Sequence, residues 1–166
     1  MAYSDCIQQG HKNCISSFLS INFGDYWKKR LSIFSEDLLV LIVDNDADNL
    51  QLTKQIVNLL GYRTITANDG NSALKLIEKH QPALILLEIM LPEIDGINVA
   101  KYLRDNQNLV PVIALTSLPG DMFREEALMA GCNGYIEKPF QIDYLEDAIK
   151  QLLFVPVSSL INPVMQ

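Results

Sequence analysis

The chain alternates between unbroken apolar runs and stretches of helical periodicity. Leu38 to Val43 form one apolar run that turns abruptly polar at Asp44, Asn45 and Asp46, the pattern of a strand buried on both faces and ending in a loop. From Asp48 to Leu60 the apolar positions Leu52, Ile56, Leu59 and Leu60, with Val57 beside them, recur at spacings of three and four before Gly61. That spacing predicts an amphipathic helix with a glycine stop. The alternation then repeats. RTITA (63–67) reads as a short strand, SALKLIEK (72–79) as a helix and ALILLE (83–88) as a second fully apolar strand with one carboxylate at its end. GINVAKYLRD (96–105) reads as a helix, VPVIALT (110–116) as a strand and REEALMAG (124–131) as a helix closed by glycine. GYIEK (134–138) completes the strands and QIDYLEDAIKQLL (141–153) the helices. Five strands alternating with five helices predict an open α/β sandwich, one parallel sheet with helices on both faces.

Such sheets collect their chemistry at the carboxyl ends of the strands. The unusual polar residues fall there. Asp44, Asn45 and Asp46 follow the first strand, Glu88 ends the third, Thr116 and Ser117 end the fourth, and Lys138 with Pro139 ends the fifth. Carboxylates, a hydroxyl and a lysine converging on one edge suit a divalent cation and a phosphoryl group, because hard cations take oxygen donors while ammonium and hydroxyl groups neutralise phosphoryl oxygens. Each residue alone says less, since a strand-end Asp often only caps the following helix.

Composition narrows the function classes. A length of 166 residues allows one domain of ordinary size with some residues to spare. The formal charge is −7, and residues 38–155 hold sixteen acids against nine bases. That balance repels a polyphosphate backbone and an anionic membrane, so neither nucleic acid nor membrane is expected as a partner. Three cysteines, Cys6, Cys14 and Cys132, are too few and too scattered for a disulfide framework or a thiolate metal site. No signal peptide and no membrane-length apolar run is read in the sequence, so a cytoplasmic protein is expected. A nucleotide- or flavin-binding α/β protein is disfavoured, because VDNDADN after the first strand offers carboxylates where a phosphate needs backbone donors.

The stretches LVLIVDNDADN (39–49), PALILLEIMLPEIDG (82–96), VIALT (112–116) and AGCNGYIEKPF (130–140) together resemble the receiver domain of two-component response regulators, CheY-like signalling modules, over about residues 38–155. The resemblance implies a flavodoxin-like sheet of strand order 2-1-3-4-5. It implies that the acidic pair after strand one falls on Asp44 and Asn45, the phosphoacceptor on Glu88, and the hydroxyl and lysine on Thr116 and Lys138. It implies Mg²⁺ held by the pair, the acceptor and the backbone carbonyl of Met90. Tyr135 matches the aromatic that turns inward on activation, and Lys138-Pro139 the pair whose peptide bond is usually cis.

Two departures from that pattern carry the functional question. Glu88 stands where the family has an aspartate, and Asn45 replaces one metal-binding acid. The extra methylene moves the carboxylate outward by about 1.5 Å, and misplacement by about 1 Å can cost on the order of 100-fold in phosphoryl transfer. Loss of the charge at residue 45 weakens a site for a hard cation. The longer side chain reaches toward Thr116 and Lys138, where phosphoryl oxygens otherwise lie, so Glu88 is expected to act as a partial built-in mimic with one charge and two oxygens. Three readings stay open: signalling or docking independent of phosphorylation, residual regulation by phosphate in a phosphorelay, and an engineered Asp-to-Glu change.

Outside this span, residues 1–37 form an N-terminal extension. Its stripe of Leu19, Phe23, Trp27, Leu31 and Phe34 predicts an amphipathic helix over 18–34, weakened by Gly24, that packs or dimerises. The tail 156–166 carries no output module, so contact with a separate sensor histidine kinase or effector, through the 124–153 face, is the expected mode of action; a homodimer is the other partner considered. Gly96 is read as a turn residue after Asp95, Cys132 as a small packed residue, and His11 and His80 as ordinary surface histidines.

Overall fold

The computed structural model describes residues 38–154. The stripe expected over 18–34, His11, Cys6, Cys14 and the tail 156–166 lie outside the described residues. Within them the order is β1 (Leu39–Val43), α1 (Ala47–Leu59), β2 (Arg63–Ala67), α2 (Gly70–His80), β3 (Leu84–Leu87), α3 (Gly96–Asp105), β4 (Val112–Thr116), α4 (Gly120–Met129), β5 (Gly134–Glu137) and α5 (Ile142–Leu153). All pairings are parallel, and the sheet order is β2-β1-β3-β4-β5. This is the flavodoxin-like α/β fold.

The apolar runs become strands because both faces of the sheet are covered. Successive side chains of a strand point to opposite faces, so Leu41 and Val43 join one core while Val40 and Ile42 join the other. The first core takes Ala73 and Ile77 of α2, Val99, Ala100 and Leu103 of α3, and Ala127 of α4. The second takes Ile56 and Val57 of α1 and Leu145 and Ile149 of α5. Every residue of β3 and β4 is buried, which is why these strands read as continuous apolar segments.

Helix starts follow their caps. Asp46, Asp69 and Asp95 each precede a helix and accept a hydrogen bond from the amide three residues on, in the 2.7–2.8 Å range, the standard N-cap arrangement. α2 therefore begins at Gly70 rather than residue 72. α4 departs further: it begins at Gly120 instead of the expected 124, since Pro119 and Gly120 read as loop residues in sequence but here form the first turn. Its N-cap, Pro119, makes no side-chain cap bond. Cys132, just past α4, is buried, and His80 is exposed in the last turn of α2.

Candidate functional site

Strand register brings the polar residues together. Val43 pairs with Leu87, so the residues that follow, Asp44 and Glu88, are neighbours at the carboxyl edge. Thr116 pairs with Glu137, which sets Lys138 one residue beyond. The ladder continues past the strands: the Asp44 amide donates to the Ala67 carbonyl at 3.1 Å, the Glu88 amide to the Val43 carbonyl at 2.9 Å, and the Lys138 amide to the Thr116 carbonyl at 2.8 Å. The backbone of each of these three residues is thus tied to a neighbouring strand. The Lys138–Pro139 peptide is cis.

The side chains form one connected cluster. Lys138 Nζ donates to Asp44 Oδ2 at 2.5 Å and to Glu88 Oε2 at 2.9 Å. The Thr116 hydroxyl donates to Glu88 Oε1, and the Met90 amide donates to the same oxygen at 3.0 Å. The Asp46 amide donates to Asp44 Oδ1 at 2.9 Å. Asp44 and Glu88 are only 4% and 6% exposed and Thr116 is fully buried. A carboxylate withdrawn from water to this degree is tolerated only when paired and hydrogen-bonded, and each of the four carboxylate oxygens has a donor. Burial opposes the charge on Lys138, but its hydrogen bonds to Asp44 and Glu88 and their negative charge outweigh that, holding its pKa above the usual 10.5 of a lysine.

The remaining sequence-selected residues are placed around this cluster. Asn45 and Asp46 are exposed, and Asp46 serves as the cap of α1. Met90 meets Glu88 through its amide nitrogen, while its side chain is 63% exposed. Tyr135 is buried, its hydroxyl donating to the Leu118 carbonyl at 2.8 Å, and the Leu118 amide donates to the Thr116 hydroxyl oxygen at 3.3 Å. Gly96 has a more specific role than turning the chain. A Cβ there would meet the Glu88 carbonyl oxygen and lie 2.9 Å from Ile89 Cα, so only a hydrogen lets the start of α3 approach the backbone that carries Glu88. A groove of about 350 Å³ lined by Leu52, Thr53, Ile56, Lys138, Pro139 and Phe140, among others, lies beside the cluster.

A magnesium ion demands near-octahedral oxygen coordination at about 2.0–2.1 Å. Here Lys138 lies on both carboxylates, Glu88 Oε1 is taken by a hydroxyl and an amide, and Asn45 adds no charge. Among the described residues, no group of three or more His, Cys, Asp or Glu side chains is arranged to hold a metal. In this arrangement the carboxylate oxygens that such an ion would take meet the Lys138 ammonium, the Thr116 hydroxyl and the Met90 and Asp46 amides. A hydroxyl, an amide and an ammonium converge on the Glu88 carboxylate. The Asp44–Lys138 pair and the Leu118 carbonyl were not anticipated from sequence, because ninety-four residues separate the first two and the last is a backbone atom.

Comparison with known proteins agrees with this architecture. Residues 40–150 match the family described as the response regulator receiver domain. The chain is 37% identical over 116 residues to the polar-differentiation response regulator DivK of Brucella ovis, covering 69% of this chain and 94% of that protein. Among solved structures it is similar to a Francisella response regulator receiver domain, with 34% identity, a TM-score of 0.67 and coverage of 70% and 97%. It is also similar to the receiver domain of the sensor histidine kinase PA1611 from Pseudomonas aeruginosa, with 30% identity, a TM-score of 0.65 and the same coverage. That structure has a magnesium ion coordinated in its active-site cleft. Among the described residues no helix is long and apolar enough to cross a membrane. With its sheet order, its strand-end cluster and a family match spanning residues 40–150, the chain belongs to the receiver domains of two-component response regulators.

Proposed function

We propose that this receiver signals through protein contact with little or no conventional phosphorylation, the Glu88 carboxylate standing where a phosphoryl group is otherwise held. In this reading Mg²⁺ binds weakly or not at all. The observation that carries the proposal is the occupancy of Glu88: Oε1 takes the Thr116 hydroxyl and the Met90 amide, and Oε2 takes the Lys138 ammonium. These are the kinds of donor that stabilise phosphoryl oxygens. The placement of the switch pair also supports it. Thr116 is drawn onto Glu88, and Tyr135 lies inward on the Leu118 carbonyl, the orientation that the family resemblance associates with activation. The mimicry is partial, because a carboxylate supplies one charge where a phosphoryl group supplies nearly two.

The contact surface we assign is the 124–153 face, where Leu128, Met129, Ile142 and Tyr144 are exposed. Exposed apolar side chains on adjacent elements are what a protein partner buries, and a sensor histidine kinase or a downstream effector is the class of partner. No catalytic turnover is assigned. The test compares the unsubstituted chain with E88D, each incubated with acetyl phosphate and Mg²⁺ and read by intact mass. The expected result is a phosphoryl adduct on the shortened variant and none on the unsubstituted chain. Stoichiometric labelling of Glu88 in the unsubstituted chain would overturn the proposal in favour of a phosphorelay acceptor.

A further inference from the structure

The start of α4 is capped from another element. α1, α2 and α3 each use the aspartate directly before them, Asp46, Asp69 and Asp95. α4 has Pro119 at that position and no side-chain cap of its own, which leaves first-turn amides in need of acceptors. The Gly120 amide instead donates to Glu137 Oε2 at 3.1 Å, a carboxylate at the end of β5 and in register with Thr116. The Met122 and Phe123 amides share the Pro119 carbonyl at 3.3 Å.

Glu137 and Tyr135 are two residues apart on one strand, so their side chains leave the same face of the sheet. Both reach the segment between β4 and α4: Tyr135 through its hydroxyl on the Leu118 carbonyl, Glu137 through the Gly120 amide. Gly120 lies close to both, since a Cβ there would sit 3.4 Å from Tyr135 Cε1 and 3.6 Å from Glu137 Oε2. The Arg124 guanidinium stands 5.3 Å from the Tyr135 ring centroid, one turn further along the helix.

We infer that Glu137 is a positioning residue: it caps α4 from β5 and, paired with Tyr135, clasps the β4–α4 segment against the sheet. This tie between α4 and β5 adds to the core packing of Ala127 and lies outside the Glu88 cluster. The inference does not rest on reading Glu88 as a phosphoryl substitute.

The experiment uses the full chain with E137A and E137Q, followed by amide hydrogen exchange and by the ring resonances of Tyr135. In E137A the Gly120, Met122 and Phe123 amides exchange about fivefold faster, the size of a lost helix cap, while amides of α1 and α2 keep their rates. The Tyr135 ring resonances shift in the same variant. E137Q retains an acceptor oxygen and returns both readouts most of the way to the natural chain. Unchanged exchange in the first turn of α4 overturns the inference. So do Tyr135 resonances that stay in place while α4 loosens, which would reduce Glu137 to an ordinary cap, and so does a uniform acceleration across all helices, which would report lost global stability.

Discussion

Replacing Lys138 with methionine removes the one ammonium between two buried carboxylates and retains a side chain of similar length. In the natural chain Nζ lies 2.5 Å from Asp44 Oδ2 and 2.9 Å from Glu88 Oε2, and the three side chains are 11%, 5% and 7% exposed. Each lost contact is a charge-assisted hydrogen bond contributing about 1.5–3 kcal/mol, and breaking a buried pair by removing one partner costs roughly 3–5 kcal/mol. The carboxylates keep the Asp46, Met90 and Thr116 donors, which places the expected loss near the lower bound, about 3 kcal/mol. Urea unfolding followed by far-ultraviolet circular dichroism at pH 7 measures it directly. The pH dependence supplies a second check with a definite sign. Lys138 titrates higher in the folded chain than the usual 10.5, so its stabilisation is complete below that value and is lost as pH rises through the folded pKa. The gap between the two proteins is therefore expected to narrow as pH rises past 10.5 through the higher folded value. A K138M protein within about 0.5 kcal/mol of the natural chain at pH 7 would show that the cluster contributes no net stability and that the reasoning is wrong.

Three further expectations follow from local geometry. G96A forces the new methyl group against the Glu88 carbonyl and the Ile89 backbone; thermal unfolding is expected to show a loss of about 1–3 kcal/mol, and an unchanged melting temperature would contradict the close approach. D69A removes the cap of α2 and costs about 1 kcal/mol at neutral pH. Hydrogen bonds from Ser72 hold the Asp69 carboxyl below its usual 3.8, so its contribution is present above that value and is lost as pH falls through the lowered one, and urea titrations at pH 7 and at acid pH should show the gap closing. Gln81 ends α2 with a left-handed backbone at φ 47; Q81G relieves that conformation and is expected to raise stability by about 1 kcal/mol, whereas a destabilised Q81G chain would mean that the glutamine side chain does more than tolerate its place.

The strands and most helices are legible because burial on both faces writes unbroken apolar runs for β1, β3 and β4, and one-sided burial writes the spacing of Leu145 and Ile149 in α5. In α1, by contrast, the buried residues are Thr53, Ile56 and Val57, and two members of the expected stripe, Leu52 and Leu59, are exposed. Aspartates before α1, α2 and α3 are local signals as well. The start of α4 is not legible in this way: its first amide is capped by Glu137 from another strand, and no capping side chain stands directly before Gly120. The candidate site was half legible. Polar residues at strand ends are visible one by one, and the reach of a longer side chain at residue 88 toward Thr116 and Lys138 follows from covalent geometry together with the resemblance.

What the amino-acid order determined by itself, then, is which segments become strands and helices and which side chains arrive at the carboxyl edge, since those depend on periodicity and local caps. Only the tertiary structure decided that Lys138 joins Asp44 as well as Glu88, that Met90 faces the cluster with its amide, that Gly96 is held to a hydrogen by the Glu88 carbonyl, and that α4 is clasped from β5. Those contacts join residues brought together by sheet register and helix packing, or depend on backbone atoms whose direction no side chain reveals. Periodicity along a chain records burial, but it does not record which neighbour the burial supplies.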